Sequence, residues 1–171
     1  SRLPNSLDWV RLQKGTSTVT LSAGAQSVRK FYTQQPLNIT GGSLSVTYVP
    51  GSGGQFDVPS EFNAVVSISG SAAYSAHTTI IDGGGGQFKI GGGTITFRSI
   101  QLASNATNAG KIVMGGNVIF VPSILGGAGT ATIQSTGALA QAGTVDLGGA
   151  TRTFTINDGT PAVDVSITAA I

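Results

Sequence analysis

The chain has 171 residues, no cysteine, and only 9% charged residues, with nine Lys and Arg against seven Asp and Glu for a net charge of +2. That length suits one domain with a sizeable core, and the lack of cysteine excludes disulfides, thiol catalysis and Cys-ligated metals. The basic residues are scattered, with Arg29-Lys30 the one adjacent pair, so composition predicts no nucleic-acid face; no apolar run approaches the roughly 18 residues of a membrane span.

Residues 1–14 are the most charged segment (Arg2, Asp8, Arg11, Lys14) and hold the one tryptophan, Trp9. They are expected to cap or join, with Trp9 and Leu12 covering the first tier of the fold, because an open end exposes both core and strand edge. Thr16 to Ala23 alternates, with Val19, Leu21 and Ala23 on one face, as a half-buried strand does. Ser27 to Thr33 carries Val28 and Phe31; Leu37 to Ile39 and Ser43 to Val49 are the next strands. Residues 50–63, with Pro50, Pro59, Asp57 and Glu61, break the pattern and are predicted to leave the wall of the fold. Alternation resumes at Ala64.

The pattern is clearest from Ile80 to Leu102. Runs at Gln87 to Ile90, Thr94 to Phe97 and Ser99 to Leu102 alternate apolar and polar residues, and Gly83–Gly86 and Gly91–Gly93 divide them. Glycine tolerates positive φ and turns the chain sharply. Lys111 to Asn117, Val118 to Val121, Thr130 to Gly137, Val145 to Gly149, Arg152 to Gly159 and Val163 to Ile167 repeat the form. The apolar residues just ahead of turns, Ile39, Ile68, Ile90, Met114, Ile133 and Ile156, are spaced by 29, 22, 24, 19 and 23 residues. Such a period is that of solenoid repeats. No helical stripe is present, and glycine with Thr, Val and Ile favours strands over helix. The predicted fold is an all-β, single-stranded parallel β-helix, or β-solenoid, over 15–171 with an N-terminal cap. The alternative is an antiparallel β-sandwich, which short strands at this spacing also suit.

Gly143-Thr-Val-Asp-Leu-Gly-Gly-Ala-Thr-Arg-Thr-Phe-Thr-Ile-Asn-Asp-Gly159, followed by Val163-Asp-Val-Ser-Ile167, resembles the passenger segments of bacterial proteins with autotransporter-associated β-strand repeats. Thr18 to Leu102 resembles the more variable Gly- and Thr-rich regions of such proteins. The resemblance implies a right-handed parallel β-helix on the cell surface or secreted. It brings no catalytic residues, and the Gly-rich Leu-Thr-Lys-Thr-Gly-like block that usually follows is absent. Met114 is the one methionine, so Ser1 is not expected to be a translation start, and a piece of a longer protein is expected.

The search for chemistry yields no catalytic residue, metal or cofactor. Asp57 and Glu61 are close in sequence but read as solvated loop acids. His77 is the one histidine and has no acid beside it in sequence for a metal site. Asp82 with its glycines lacks calcium β-roll spacing, and Asp146 and Asp164, each after a valine, are expected to face water. The expected function is therefore a non-catalytic extracellular segment with a structural, adhesive or assembly role. End-to-end self-association into filaments is one form of it. The alternative is a carbohydrate-binding module on a polysaccharide-active enzyme. Sugars stack on exposed aromatics, so its candidate residues are Trp9, Tyr32, Tyr48 and Tyr74, with Asp57 and Glu61 as polar partners for a cell-surface glycan.

Overall fold

The computed structural model describes residues 4–13, 15–47, 55–58, 64–82, 86–104, 108–122, 130–137, 142–156 and 163–171. Among them are seventeen strands and no helix. The strands form an eleven-stranded sheet, A, and a six-stranded sheet, B.

Chain order and pairing divide the strands into six tiers, each with one strand in sheet B and two consecutive stretches in sheet A. The first tier is β2 (Val19–Leu21), β3 (Ala25–Val28) and β4 (Lys30–Thr33); the second is β5 (Leu37–Ile39), β6 (Ser43–Val46) and β7 (Gln55–Val58). In the third, β8 (Val65–Ile68) leads to a single long strand, β9 (Ala73–Ile81). The fourth likewise has β10 (Gln87–Ile90) and β11 (Thr94–Ser104). The fifth is β12 (Lys111–Met114), β13 (Val118–Pro122) and β14 (Ala131–Gly137), and the sixth β15 (Thr144–Asp146), β16 (Phe154–Ile156) and β17 (Val165–Ile167). β1 (Trp9–Leu12) lies along β4.

All the pairings between these strands are parallel. This corrects the alternative of an antiparallel sandwich. Parallel neighbours cannot be joined by tight hairpins and need a longer connection. Here the connection from one strand to its neighbour is a whole tier.

Register shows which sequence periods are real. In sheet B, Val19, Leu37, Val66, Phe88, Ile112 and Val145 are successive Cα partners, at spacings of 18, 29, 22, 24 and 33 residues. Ile39, Ile68, Ile90 and Met114 stack in the same sheet, as the turn positions predict. Ile133 and Ile156 do not continue that stack. Ile133 pairs with Ile100 and Ile167, and Ile156 with Phe120, all in sheet A. The fifth tier is long, and an isoleucine ahead of a glycine does not reveal which sheet it belongs to.

The turns are bonded tier to tier as well. The backbone N–H groups of Thr40, Ser69, Gly91 and Gly115 donate to the carbonyls of Leu21, Ile39, Ile68 and Ile90 at 2.7–3.0 Å. Gly42 has φ of 69° and lies against the backbone of Ala23 and Gly24. A side chain has no room in that approach.

Inside lie alternating apolar residues. Phe31 and Phe56 stack at 5.1 Å between centroids, Phe56 meets Tyr74 edge-on at 5.4 Å, and Tyr74 meets Phe88 at 5.3 Å. Phe88, fully buried, contributes about 2–3 kcal/mol by the area it removes from water. The segment predicted to leave the wall is part of it where it is described. β7 sits in sheet A between β4 and β9, and Asp57 and Pro59 hid the strand around the buried Phe56. Residues 48–54 and 59–63 lie outside the described residues.

Strand β1 covers only part of the first tier. Val10 and Leu12 pack on the core, while Trp9 is 68% exposed and does not cover the end as expected. Among the described residues sheet B ends at β2, and β3 pairs only with β6.

Candidate functional site

In each short tier the apolar alternation slips by one residue within sheet A. The buried residues step by three from Val28 to Phe31, Ala76 to Thr79 and Phe97 to Ile100. An extra residue bends a strand and re-aims the side chains around it. The slip creates a corner, and it places Arg29, His77 and Arg98 there in the first, third and fourth tiers. In the second, fifth and sixth tiers more residues separate β6 from β7, β13 from β14 and β16 from β17. His77 Nδ1 is 3.1 Å from Thr78 Oγ1. Burial, and secondarily the positive charge of Arg98, holds the His77 pKa below its ordinary value of 6.5.

Beyond the corner, the outward side of sheet A gathers a compact group. β1 and β4 run in register, so Trp9 is the partner of Lys30 and Arg11 of Tyr32. Period-two alternation points all four away from the core. They form a two-by-two checkerboard of cations and rings. The Arg11 guanidinium lies over the Tyr32 ring, 4.9 Å from its centroid, and Lys30 Nζ lies 5.8 Å from the Trp9 centroid. Gln34 Nε2 donates to the Tyr32 hydroxyl at 3.1 Å. A depression of about 280 Å³ is lined by Trp9, Val10, Arg11, Lys30 and Tyr32. Asp57 is the next Cα partner of Tyr32, on β7.

The structure thus brings together Trp9, Tyr32 and, at the level of register, Asp57. It separates Tyr74, which is 1% exposed; its hydroxyl is 2.7 Å from Thr79 Oγ1 in the core. No surface ligand reaches that ring, so Tyr74 is withdrawn from the candidate set. Tyr48 and Glu61 lie outside the described residues. Arg11 and Lys30 were missed by sequence reasoning, although Trp9-x-Arg11 and Lys30-x-Tyr32 each have the spacing that puts two residues on one face of a strand.

The other polar groups are dispersed. Asp146 is on sheet B, with Oδ2 3.7 Å from Lys111 Nζ. Asp164 precedes β17, and its carbonyl accepts from Ala131 N–H. The two acids therefore belong to different sheets and do not stack. Arg152 Nε donates to the carbonyls of Met114 and Leu147, tying the sixth tier to the fifth. Among the described residues no three His, Cys, Asp or Glu are grouped to hold a metal, and no helix is long and apolar enough to cross a membrane. No family model, curated protein or solved structure matches the chain.

Proposed function

We propose that the chain is a non-catalytic β-solenoid segment of a larger bacterial surface or secreted protein, with a structural and adhesive role. The observation that carries this is the shared register of successive tiers. Three ladders, through Val66–Phe88–Ile112 in sheet B and through Tyr74–Ile95–Phe120 and Thr79–Ile100–Ile133 in sheet A, advance together. A single chain that visits three ladders in the same order each time is a continuous winding. The strong preference of parallel crossovers for one hand favours a right-handed coil, as does the resemblance of 143–167 to autotransporter-associated repeats.

Such a winding gives a rigid rod whose length grows by one strand spacing per tier. Its walls are Ser, Thr, Asn and Gln with few charges, a composition that tolerates contact with polysaccharide and water alike. Among the described residues the acids and the histidine are spread over different tiers and sheets, whereas general acid–base chemistry needs them to converge.

The test pairs retention with turnover. The purified chain is passed over immobilised polysaccharides while new reducing ends are assayed. Retention or free passage without new reducing ends fits a structural or adhesive segment. Turnover that co-purifies with the chain and survives re-purification would overturn the proposal.

A further inference from the structure

The geometry points to a second copy of this chain as the partner of the molecule's two ends, the first tier of one copy stacking on the last tier of another. This rests on the β-solenoid reading above and gives its structural role a surface.

Incomplete burial is the first support. In the middle tiers the inward rows are sealed, as at Phe56, Ile100 and Ile133, each 0% exposed. Among the described residues, the apolar side chains that pack on the core yet stay partly exposed belong to β1 and to the first and last tiers. At one end Val10, Leu12, Val19 and Leu21 line an apolar cavity of about 210 Å³. At the other are Val165 and Ile167, and Ile156 is 43% exposed although it shares a row with the buried Phe120. Each lacks the neighbour that a further tier supplies, and burying such faces drives association.

Strand edges are the second. Among the described residues β2 and β3 pair on one side only, as do β16 and β17. An open edge is a template for another strand. The register of sheet A says how two ends meet. The row that starts at Trp9 and Lys30 runs through to Thr132 and Ser166, and the row beside it runs from Val10 and Phe31 to Ile133 and Ile167. A copy moved along the stack therefore sets its β1 on β17, with Trp9 opposite Ser166 and Val10 opposite Ile167. In sheet B, Ala170 already begins a further level. It pairs parallel with Thr144, and its carbonyl accepts from Val145 N–H at 2.7 Å. That pairing puts the 75%-exposed Ile171 on the row of Val145, where it meets β2 of the next copy. In the third ladder one level remains between β16 and β3. Residues 4–8 of the next copy, with Pro4 in the cavity wall, enter at that level. Strands run parallel across this joint, as they do within the chain, and β1 is part of it.

Charge is the third. By sequence, residues 1–33 hold five Lys and Arg and one acid, whereas residues 142–171 hold three Asp and one Arg. Counting Lys111, which lies 3.7 Å from Asp146, still leaves the last-tier end acidic. Opposite net charges favour the meeting of unlike ends over like ends. A contact between unlike surfaces does not close on a two-fold axis, so it propagates.

Sedimentation over a concentration series, with single-cysteine variants of a chain that has no cysteine, tests the proposal. The intact chain should form multiples beyond the dimer as concentration rises. Ile171→Lys should weaken association about tenfold or more, as loss of a buried interface contact does. Ile119→Lys, at a wall residue 41% exposed, should leave it unchanged. Trp9→Cys mixed with Ser166→Cys should oxidise to a disulfide-linked pair, because the two positions lie about 4.8 Å apart across the joint. Within one chain they are six strand pairings apart, so the bond reports on the joint alone. Trp9→Cys mixed with Ser75→Cys, a wall position, gives the background. Circular dichroism checks that each variant keeps its strands. A chain that stays monomeric at every concentration, its ends left to some other partner, overturns the stacking. So does a closed dimer, equal weakening by Ile119→Lys, or cross-linking no better than with Ser75→Cys. A monomer that generates no reducing ends strikes the stacking and leaves the structural role, so the two proposals fail separately.

Discussion

Replacing single glycines at the turns separates backbone conformation from tier-to-tier contact. Gly24 and Gly42 both have positive φ, 79° and 69°. A Cβ at Gly24 meets nothing closer than the Gln26 amide nitrogen at 3.9 Å, whereas a Cβ at Gly42 overlaps the carbonyl oxygen of Gly24 and lies 2.8 Å from its nitrogen. Gly41 is the complementary case. It lacks the positive φ, but its Cβ overlaps the carbonyl oxygen of Ser22 in the tier below. Holding alanine at positive φ costs about 1–2 kcal/mol, and reduced freedom of the unfolded chain returns about 0.4–1 kcal/mol. Gly24→Ala should therefore destabilise by about 1 kcal/mol. Forcing a methyl into packed backbone adds about 1–3 kcal/mol, so Gly42→Ala should cost about 2–4 kcal/mol and Gly41→Ala should fall between the two. Guanidinium unfolding followed by circular dichroism reads these as midpoint shifts at constant slope. Equal losses for Gly24→Ala and Gly42→Ala, with none for Gly41→Ala, would refute the close stacking of turns.

Tyr74→Phe leaves the fully buried Thr79 hydroxyl without the tyrosine oxygen 2.7 Å away. It should cost about 1–3 kcal/mol, and less when Thr79→Val is added, a non-additivity that a double-mutant cycle measures. The folded pKa of His77 lies below its unfolded value of 6.5, so the unfolded chain binds the proton first. Stability is complete above pH 6.5 and is lost as the pH falls through the lowered folded pKa. His77→Gln should shrink the drop in melting temperature between neutral and mildly acidic buffer; an unchanged drop would refute the assignment to His77. Deleting residues 1–13 removes Pro4, Val10 and Leu12 from the wall of an apolar cavity of about 210 Å³ and exposes the rest of its lining, Val19, Leu21 and Phe31 among it. If β1 is a cap, light scattering should show larger particles after the deletion; a fall in particle size would make β1 a joint instead.

Much of the fold was legible in the sequence because strand alternation and glycine turns are local signals. The stretch from Ile80 to Leu102, where alternation is clearest, shows it well: β10, the Gly91–Gly93 turn and β11 fall where alternation places them. What alternation cannot supply is the sheet to which a strand belongs. Ile133 and Ile156 look like Ile90 in sequence, yet they stack in the other sheet, because tier length is set by connections that carry no periodic signal. Alternation also fails where proline and acids interrupt it, as at Asp57 and Pro59 around Phe56. The corner was readable in principle. An apolar step of three in place of two occurs at Val28/Phe31, Ala76/Thr79 and Phe97/Ile100, but it shows as a corner only once the tiers are aligned.

The candidate site was legible in part for a related reason. Trp9 and Tyr32 stand out by residue type, and both are at the surface patch. Their partners Arg11 and Lys30 are ordinary in sequence and acquire meaning only from the pairing of β1 with β4, 21 residues apart. Tyr74 was misplaced because type alone does not tell an exposed ring from a core ring. Its burial follows from its stack between Leu44 and Ile95, again a non-local property.

Paired cysteines, in a chain that has none of its own, test the stacking of tiers most directly. Ser45, Ser75 and Thr96 occupy successive tiers in one outward row of sheet A, so adjacent members lie about 4.8 Å apart and alternate members about twice that. A disulfide needs Cα atoms within roughly 7 Å. Ser45→Cys with Ser75→Cys, and Ser75→Cys with Thr96→Cys, should oxidise to intrachain disulfides seen by non-reducing mass spectrometry. Ser45→Cys with Thr96→Cys should stay reduced. Failure of both adjacent pairs, or equal bridging of the skipped pair, would contradict the stacked winding.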